Sequence, residues 1–328
     1  MQCWHEAYQW LCSSRKHAPV HADIWDLRFK WSNQWRSMYR QVTEGYYRLQ
    51  PMCVVGSPAN EVVMWRSCDA LVLKWLALQV KNRLPNHPLC EHGPGHRGGR
   101  SSLRRVQEAL LGREFEFVFR TDIRGYYQHI LKAQVVNQFN RDIDNPELQT
   151  LFNQYVYYSV EYGGEIHTPE QGIPRGCALS PIIGASLLFH VDSYFSAQEN
   201  VFYARYMDDF LILTPTRWKL RKAVRRLNEF FDLGGFEQHP DKTQLGRLGQ
   251  GFDWLGIQFY HTGASGIAPR AIKNHQERRM RLYEQSRAQG KTESESCARV
   301  QAYVRRWCLW ADNLLRDVTT PPDEKYNL

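Results

Sequence analysis

The chain has 328 residues, of which 43% are apolar and 13% aromatic, and carries a formal net charge of +8. This length supports one large domain or two to three packed subdomains, and excludes a small scaffold that relies on disulfide staples. No stretch approaches the ~20 apolar residues that span a bilayer, so no membrane partner is expected.

The first residues, Met1-Gln2-Cys3-Trp4-His5-Glu6, lack the basic-then-apolar order of a secretory signal, so a soluble, cytoplasmic protein is expected. Cysteines stand at positions 3, 12, 53, 68, 90, 177, 297 and 308 with no Cys-x-x-Cys pair, the pattern of reduced thiols. Cys90-Glu91-His92 followed by His96 is either half of a zinc site or a set of turn residues in a Gly/Pro-rich loop. The second reading is favoured because no further ligand pair is evident.

In chain order, Trp4, Tyr8, Trp10, Trp25, Trp31, Trp35 and Tyr39 recur at spacings near three and four, which predicts amphipathic helices packed on a body. Residues 67–84 read as one buried helix closed by Pro85. After the loop at 93–99 a second helix over 102–112 leads into an alternating strand, 114–123, with Asp122 at or near its end. Helical patterns follow over 128–140 and 146–158. A hairpin-like stretch surrounds Gly163-Gly164, and a helix opens near Ser180-Pro181. Residues 202–206 and 210–214 read as two strands joined tightly through Met207-Asp208-Asp209, which puts two carboxylates on a hairpin turn. A basic amphipathic helix over 217–231, the turn His239-Pro240-Asp241-Lys242 and a strand-like run over 252–259 come next. Beyond Pro269 the pattern is helical and Arg-rich to about Leu315, followed by a loose tail.

The basic residues cluster. Arg97, Arg100, Arg104 and Arg105 have no acidic residue among them, and Arg278, Arg279, Arg281, Arg305 and Arg306 recur in the C-terminal region. Such patches suit a polyanion, although solvated helix faces look the same. An Asp-Asp pair in a turn is commonplace, because Asp is a good turn former. Here apolar strands on both sides, with Tyr206 and Phe210 bracketing the turn, would hold the carboxylates on rigid elements. Two or three aspartates on adjacent strand ends are the hard-oxygen donors that magnesium takes alongside substrate phosphates and water.

At this point the residues become recognisable. Tyr206-Met207-Asp208-Asp209 resembles the Tyr-x-Asp-Asp box of reverse transcriptases, and Phe119-Arg120-Thr121-Asp122-Ile123-Arg124-Gly125-Tyr126-Tyr127 resembles their first metal-binding motif. The run from Gln171-Gly172 to Leu179-Ser180-Pro181 is similar to the family's Gln-Gly/Leu-Ser-Pro element, and His239-Pro240-Asp241-Lys242-Thr243 to its lysine motif. Trp254-Leu255-Gly256 sits where a primer-grip hairpin is expected. These matches span residues 95–256 in the family's order.

The resemblance implies an α+β right-hand polymerase. Its N-terminal helical extension or fingers would cover 1–68, further fingers 69–121, a palm with an antiparallel sheet 122–262, a short helical thumb 263–317 and a tail 318–328. It implies RNA-templated DNA synthesis with two Mg²⁺ ions, or Mn²⁺ in their place, held by Asp122, Asp208 and Asp209 with the backbone carbonyl of Ile123. Lys242 would donate a proton to the leaving pyrophosphate, or be a surface lysine. Tyr127 would exclude a 2′ hydroxyl, or be a core aromatic. Tyr126, Tyr206 and Met207 would line the same substrate site, Arg97 and Arg100 would clamp the triphosphate, and Gln171 and Gly172 would support the template. Partners would be an RNA template, by analogy a cognate noncoding RNA, a DNA primer or product, and deoxynucleoside triphosphates. The short segment after Trp254-Leu255-Gly256 leaves no room for a maturase domain with an endonuclease, and the Asn-Ala-x-x-His and Val-Thr-Gly segments usual in retron enzymes are not found. The resemblance is therefore closest to compact, stand-alone bacterial enzymes related to group II intron and retron reverse transcriptases, many tied to phage defence. An RNA-dependent RNA polymerase, a catalytically silent RNA-binding protein and a maturase remain alternatives, and oligomeric state, accessory proteins and priming mode are left open.

Overall fold

The aromatic spacing of the first fifty residues becomes two helices, α1 (Gln2–Ser14) and α2 (Asp23–Thr43). Trp4 and Leu11 of α1 and Ile24 and Leu27 of α2 are buried. Trp4 stacks on Trp31 at 6.4 Å and meets Trp75 edge-on at 6.2 Å, so Trp4 is core, with Trp31 half-buried against it, whereas Trp10 is exposed. The computed structural model describes residues 1–56, 61–93, 98–112 and 114–319. They form two compact units that interleave along the chain, one made of Met1–Pro94, Ile123–Tyr194 and Glu229–Glu237, the other of Gly95–Asp122, Phe195–Asn228 and Gln238–Leu328.

The first unit continues with β1 (Met52–Val55), β2 (Val62–Met64) and α3 (Ser67–Val80). Leu71, Val72, Leu73, Leu76 and Val80 are fully buried, as expected of a helix that is apolar on nearly every side. The chain then enters the second unit for α4 (Gly99–Leu111) and β3 (Phe117–Asp122) and returns for α5 (Tyr126–His129), α6 (Lys132–Asp142) and α7 (Pro146–Val156). The single helix predicted over 128–140 is interrupted at Ile130, whose backbone is extended. Its carbonyl accepts a bond from Gly172 N at 2.9 Å instead of continuing the helix. α7 opens with Pro146 in its first turn, and Asn145 Oδ1 accepts from Leu148 N at 2.8 Å.

β4 (Val160–Tyr162) and β5 (Glu165–His167) form the predicted hairpin. Gly163 and Gly164 turn it with φ of 60° and 89°, the paired positive values of a type I′ turn. β4 also lies parallel to β1, giving the sheet order β2-β1-β4-β5. α8 (Ser180–Leu187) carries Pro181 in its first turn, and α9 (Phe189–Ser196) follows.

The second unit resumes with β6 (Phe202–Tyr206) and β7 (Asp209–Thr214). The predicted basic helix is α10 (Arg217–Gly234), and β8 (Gln244–Arg247) completes an antiparallel sheet of order β6-β7-β3-β8. β9 (Phe252–Trp254), β10 (Ile257–Tyr260) and β11 (Gly263–Ile267) make a second, three-stranded antiparallel sheet. The one strand expected over 252–259 is thus two, because Leu255 and Gly256 take left-handed backbone, with φ of 46° and 92°. The helical segment expected beyond Pro269 is α11 (Pro269–Ala288) and α12 (Glu293–Thr319), which follow β11. α12 passes the boundary expected at 317, and residues 320–328 of the expected tail lie outside the described residues. Leu103, Val106, Leu110, Val118, Leu211 and Leu213 form one core with Phe252, Trp254, Phe259 and Leu314, which fixes the two sheets of this unit against α4 and α12.

No helix among the described residues is long and apolar enough to cross a membrane.

Candidate active site

β3 is buried along almost its whole length, with Val118, Arg120 and Asp122 on one face and Phe119 and Thr121 on the other. Its register with β7 sets Asp122 directly opposite Asp209, and the register of β6 with β7 sets Tyr206 opposite Asp209. Met207 and Asp208 are therefore the two central residues of the hairpin turn. Met207 has φ of 56°, a conformation that costs a residue with a side chain on the order of 1–3 kcal/mol. The fully buried Arg205 donates to Met207 O at 2.9 Å and holds the turn in that form. Side-chain alternation and a tight turn thus bring Asp122 and Asp209 to one sheet edge, with Asp208 in the adjoining turn.

Two cations serve these carboxylates. Lys242, in the short 3₁₀ turn Pro240–Lys242, donates from Nζ to Asp122 Oδ2. That turn is fastened to the same strand by His239 N, which donates to Asp122 O at 2.8 Å, and by the Thr121–Thr243 hydroxyl pair at 2.7 Å. Arg120 donates from Nη1 to Asp253 Oδ1 at 2.6 Å and from Nη2 to Asp209 Oδ1 at 3.4 Å. Burial pushes the Asp209 carboxyl up to about 6. Arg120 and Lys242 oppose that rise, and the neighbouring charges of Asp122 and Asp208 add to it.

Among the described residues no three His, Cys, Asp or Glu side chains converge closely enough to cage a metal. The donors present suit a different kind of cation site. They are hard carboxylate oxygens that repel one another, and the cations of Lys242 and Arg120 offset that repulsion in part. Magnesium takes one or two carboxylates and completes its shell with water and substrate phosphate, so a full protein cage is not required.

In the first unit, Ile123 is buried and Tyr126 donates from its hydroxyl to Gly184 O at 2.8 Å. Tyr127 is half-buried, its ring 5.3 Å from that of Tyr126. The Gln-Gly element docks on the same stretch of backbone, with Ile173 N donating to Tyr127 O at 2.9 Å. Gly172 has φ of 83°, and a Cβ there would lie 2.8 Å from Tyr127 O and 2.9 Å from Gln128 O, so only glycine fits. Gln171 beside it is exposed. Ser180 of the Leu-Ser-Pro element is buried and donates to Pro174 O at 2.6 Å, which braces the intervening loop.

Trp254 is buried, and its Nε1 donates to Ser102 Oγ at 2.7 Å. Leu255 and Gly256 form the hairpin tip. A Cβ on Gly256 would lie 3.1 Å from the ring of Trp310, and one on Gly99 3.4 Å from Leu255 and 3.9 Å from Tyr206. Arg100 is exposed in the first turn of α4. Arg105, by contrast, packs on Phe202 at 4.8 Å and donates to Tyr203 O, so part of the basic cluster is structural. Arg97 and His96 lie outside the described residues. Cys90 Sγ lies 3.4 Å from His92 Nδ1, and His92 Nε2 is 3.3 Å from Pro181 O.

Sequence reasoning missed Arg120 as a partner of Asp209, Asp253 as the partner of Arg120 and Arg205 as the brace of the turn. The available signal was a charged residue in phase with buried apolar neighbours on a strand, as at Arg120 between Val118 and Asp122.

The geometry agrees with what the chain is similar to. Residues 64–259 match the reverse transcriptase (RNA-dependent DNA polymerase) family, and the chain belongs to that family. Among curated proteins, the retron Mx162 reverse transcriptase of Myxococcus xanthus is 26% identical over 222 residues, which cover 61% of this chain and 44% of that protein. The chain thus spans less than half the length of this relative.

Proposed function

We propose that the protein is an RNA-directed DNA polymerase, a nucleotidyltransferase that copies an RNA template into DNA from deoxynucleoside triphosphates. The observation that carries this reading is the register of β3 and β7, which sets Asp122 against Asp209 with Asp208 in the adjoining turn. Asp122 and Asp208 would hold two divalent cations, Mg²⁺ or Mn²⁺, with Asp209 assisting and the Ile123 carbonyl as a further ligand. Bound there, such ions supply the Lewis-acid charge needed for attack by a 3′ hydroxyl and departure of pyrophosphate. Lys242 neutralises Asp122 in their absence and, once released from it, is the proton donor for the leaving group. Tyr127, buttressed by Tyr126, screens the sugar. Gln171 and Gly172 support the template, Tyr206 and Met207 line the substrate site, and Arg97 and Arg100 hold the triphosphate. The Trp254-Leu255-Gly256 tip is the primer grip.

In this reading residues 1–121 are fingers with their helical extension, 122–262 palm and 263–317 thumb. The family resemblance supports a cognate noncoding RNA as template, in phage defence or in a retroelement, and the retron relative fits the second setting. The test is primer extension on an RNA template with Mg²⁺. Wild-type protein is expected to make DNA, and the Asp208→Ala/Asp209→Ala variant to lose at least about a thousandfold in rate while keeping its fold. Preferential ribonucleotide incorporation would mark an RNA polymerase. RNA retention without any product would mark a silent or maturase-like RNA-binding protein. Sequencing nucleic acid that copurifies with the protein identifies the template.

A further inference from the structure

Arg120 is buried between two carboxylates of its own unit, Asp253 and Asp209, yet it does not serve them equally. Its Nη1 bond to Asp253 is short, 2.6 Å, whereas the Nη2 contact to Asp209 is long, 3.4 Å. The third donor of the guanidinium, Nε, is buried with no hydrogen-bond partner. Two carboxylates therefore fix the group, and the tighter bond decides where its charge sits. Asp253 belongs to β9, in the three-stranded sheet, whereas Arg120 and Asp209 belong to the four-stranded one. The pair consequently ties the sheet edge that bears the aspartates to the strand that ends in Trp254.

We propose that Asp253 is a positioning residue that holds the Arg120 guanidinium back from Asp209, leaving that carboxylate oriented but open to a divalent cation. This rests on reading Asp209 as a metal-binding carboxylate. Without the Asp253 charge, the guanidinium closes on Asp209 as a full ion pair and competes with the cation for the same oxygens. The two groups interact through charge at contact distance from a buried guanidinium, where such competition is stronger than in open water.

The test is Mn²⁺ binding to the purified full chain, measured by the loss of the free-ion EPR signal, beside the Mg²⁺ dependence of primer extension. Asp253→Asn is expected to weaken Mn²⁺ binding by about tenfold or more, the scale seen when partners of metal ligands are removed, and to move the Mg²⁺ optimum upward with KM for the nucleotide little changed. Asp253→Glu, which keeps the charge, is expected to restore binding. Adding Arg120→Gln to Asp253→Asn removes the competitor and is expected to recover binding relative to Asp253→Asn alone. A merely structural pair would lower the melting temperature in all these variants without that recovery. Should Asp253→Asn not fold, Asp253→Ser, which admits water beside the guanidinium, carries the same expectation. The proposal is overturned if wild type binds Mn²⁺ and extends primers while folded Asp253→Asn or Asp253→Ser does both equally well. Absence of binding and extension in the wild type itself would instead overturn the polymerase reading.

Discussion

The carboxylate edge of β3 and β7 and the junction of Tyr127 with Gly172 both join motifs far apart in the chain, but different forces hold them. At the edge, side-chain charge dominates, with Lys242 on Asp122 and Arg120 shared between Asp253 and Asp209. At the junction, backbone meets backbone, through Gly172 N on Ile130 O and Ile173 N on Tyr127 O. A charge-built site tolerates small changes of shape and fails when charge is moved. A backbone-built site does the reverse.

That contrast can be broken at the junction first. Gly172→Ala keeps every charge but puts a methyl group 2.8 Å from Tyr127 O in left-handed backbone. It is expected to cost about 2–4 kcal/mol of stability, read by thermal or denaturant unfolding. An equally conservative Asp209→Asn change at the edge should cost little stability and most of the activity.

A third region sharpens the electrostatic half. Asp69 is a buried carboxyl with only neutral donors, Tyr47 Oη at 2.9 Å and Gln50 N at 3.4 Å. Burial pushes it up to about 6, against the hydrogen bonds from Tyr47 and Gln50. The folded state therefore holds this proton more tightly than the unfolded chain. The stabilisation is complete below the ordinary carboxylate value near 4 and is lost as pH rises through about 6. Asp69→Asn should flatten the stability profile between pH 4 and 6.5, a difference of order 2 kcal/mol from wild type across that window. A profile unchanged by the substitution would show that Asp69 is not its source.

Tyr127→Ala removes a ring without touching the backbone bonds around it, so the junction should survive. Discrimination against ribonucleotides in single-nucleotide extension should fall by about tenfold or more. Unchanged sugar selectivity would remove Tyr127 from that role. The smallest effect is expected at Trp254→Phe, which gives up the bond to Ser102 Oγ and should cost about 1 kcal/mol of stability, read by thermal unfolding.

The parts of this architecture that local patterns encode were legible in advance. Alternation located β3 and put Asp122 at its end, the Gly163-Gly164 pair marked its hairpin, and Pro181 marked a helix start. The short strands β1, β2 and β8 escaped, because β1 and β8 are stabilised by partners distant in sequence, β4 and β3, and β2 only by its pairing with β1. The aspartates were found from their turn and strand ends. The ion pairs Lys242–Asp122 and Arg120–Asp253 were not legible, since their partners lie 120 and 133 positions apart. The docking of Gly172 on Tyr127 was equally hidden, because glycine in a sequence does not announce what it approaches.

The left-handed Met207 has one more consequence. Its carbonyl is aimed at a guanidinium that no solvent reaches, so rotating that peptide plane would strip a bond from a sealed cation. The hairpin tip therefore behaves as a latched part with a single seating. Motion that carries substrate past it would have to swing the whole β6–β7 ribbon, and the two acidic side chains would travel as one piece.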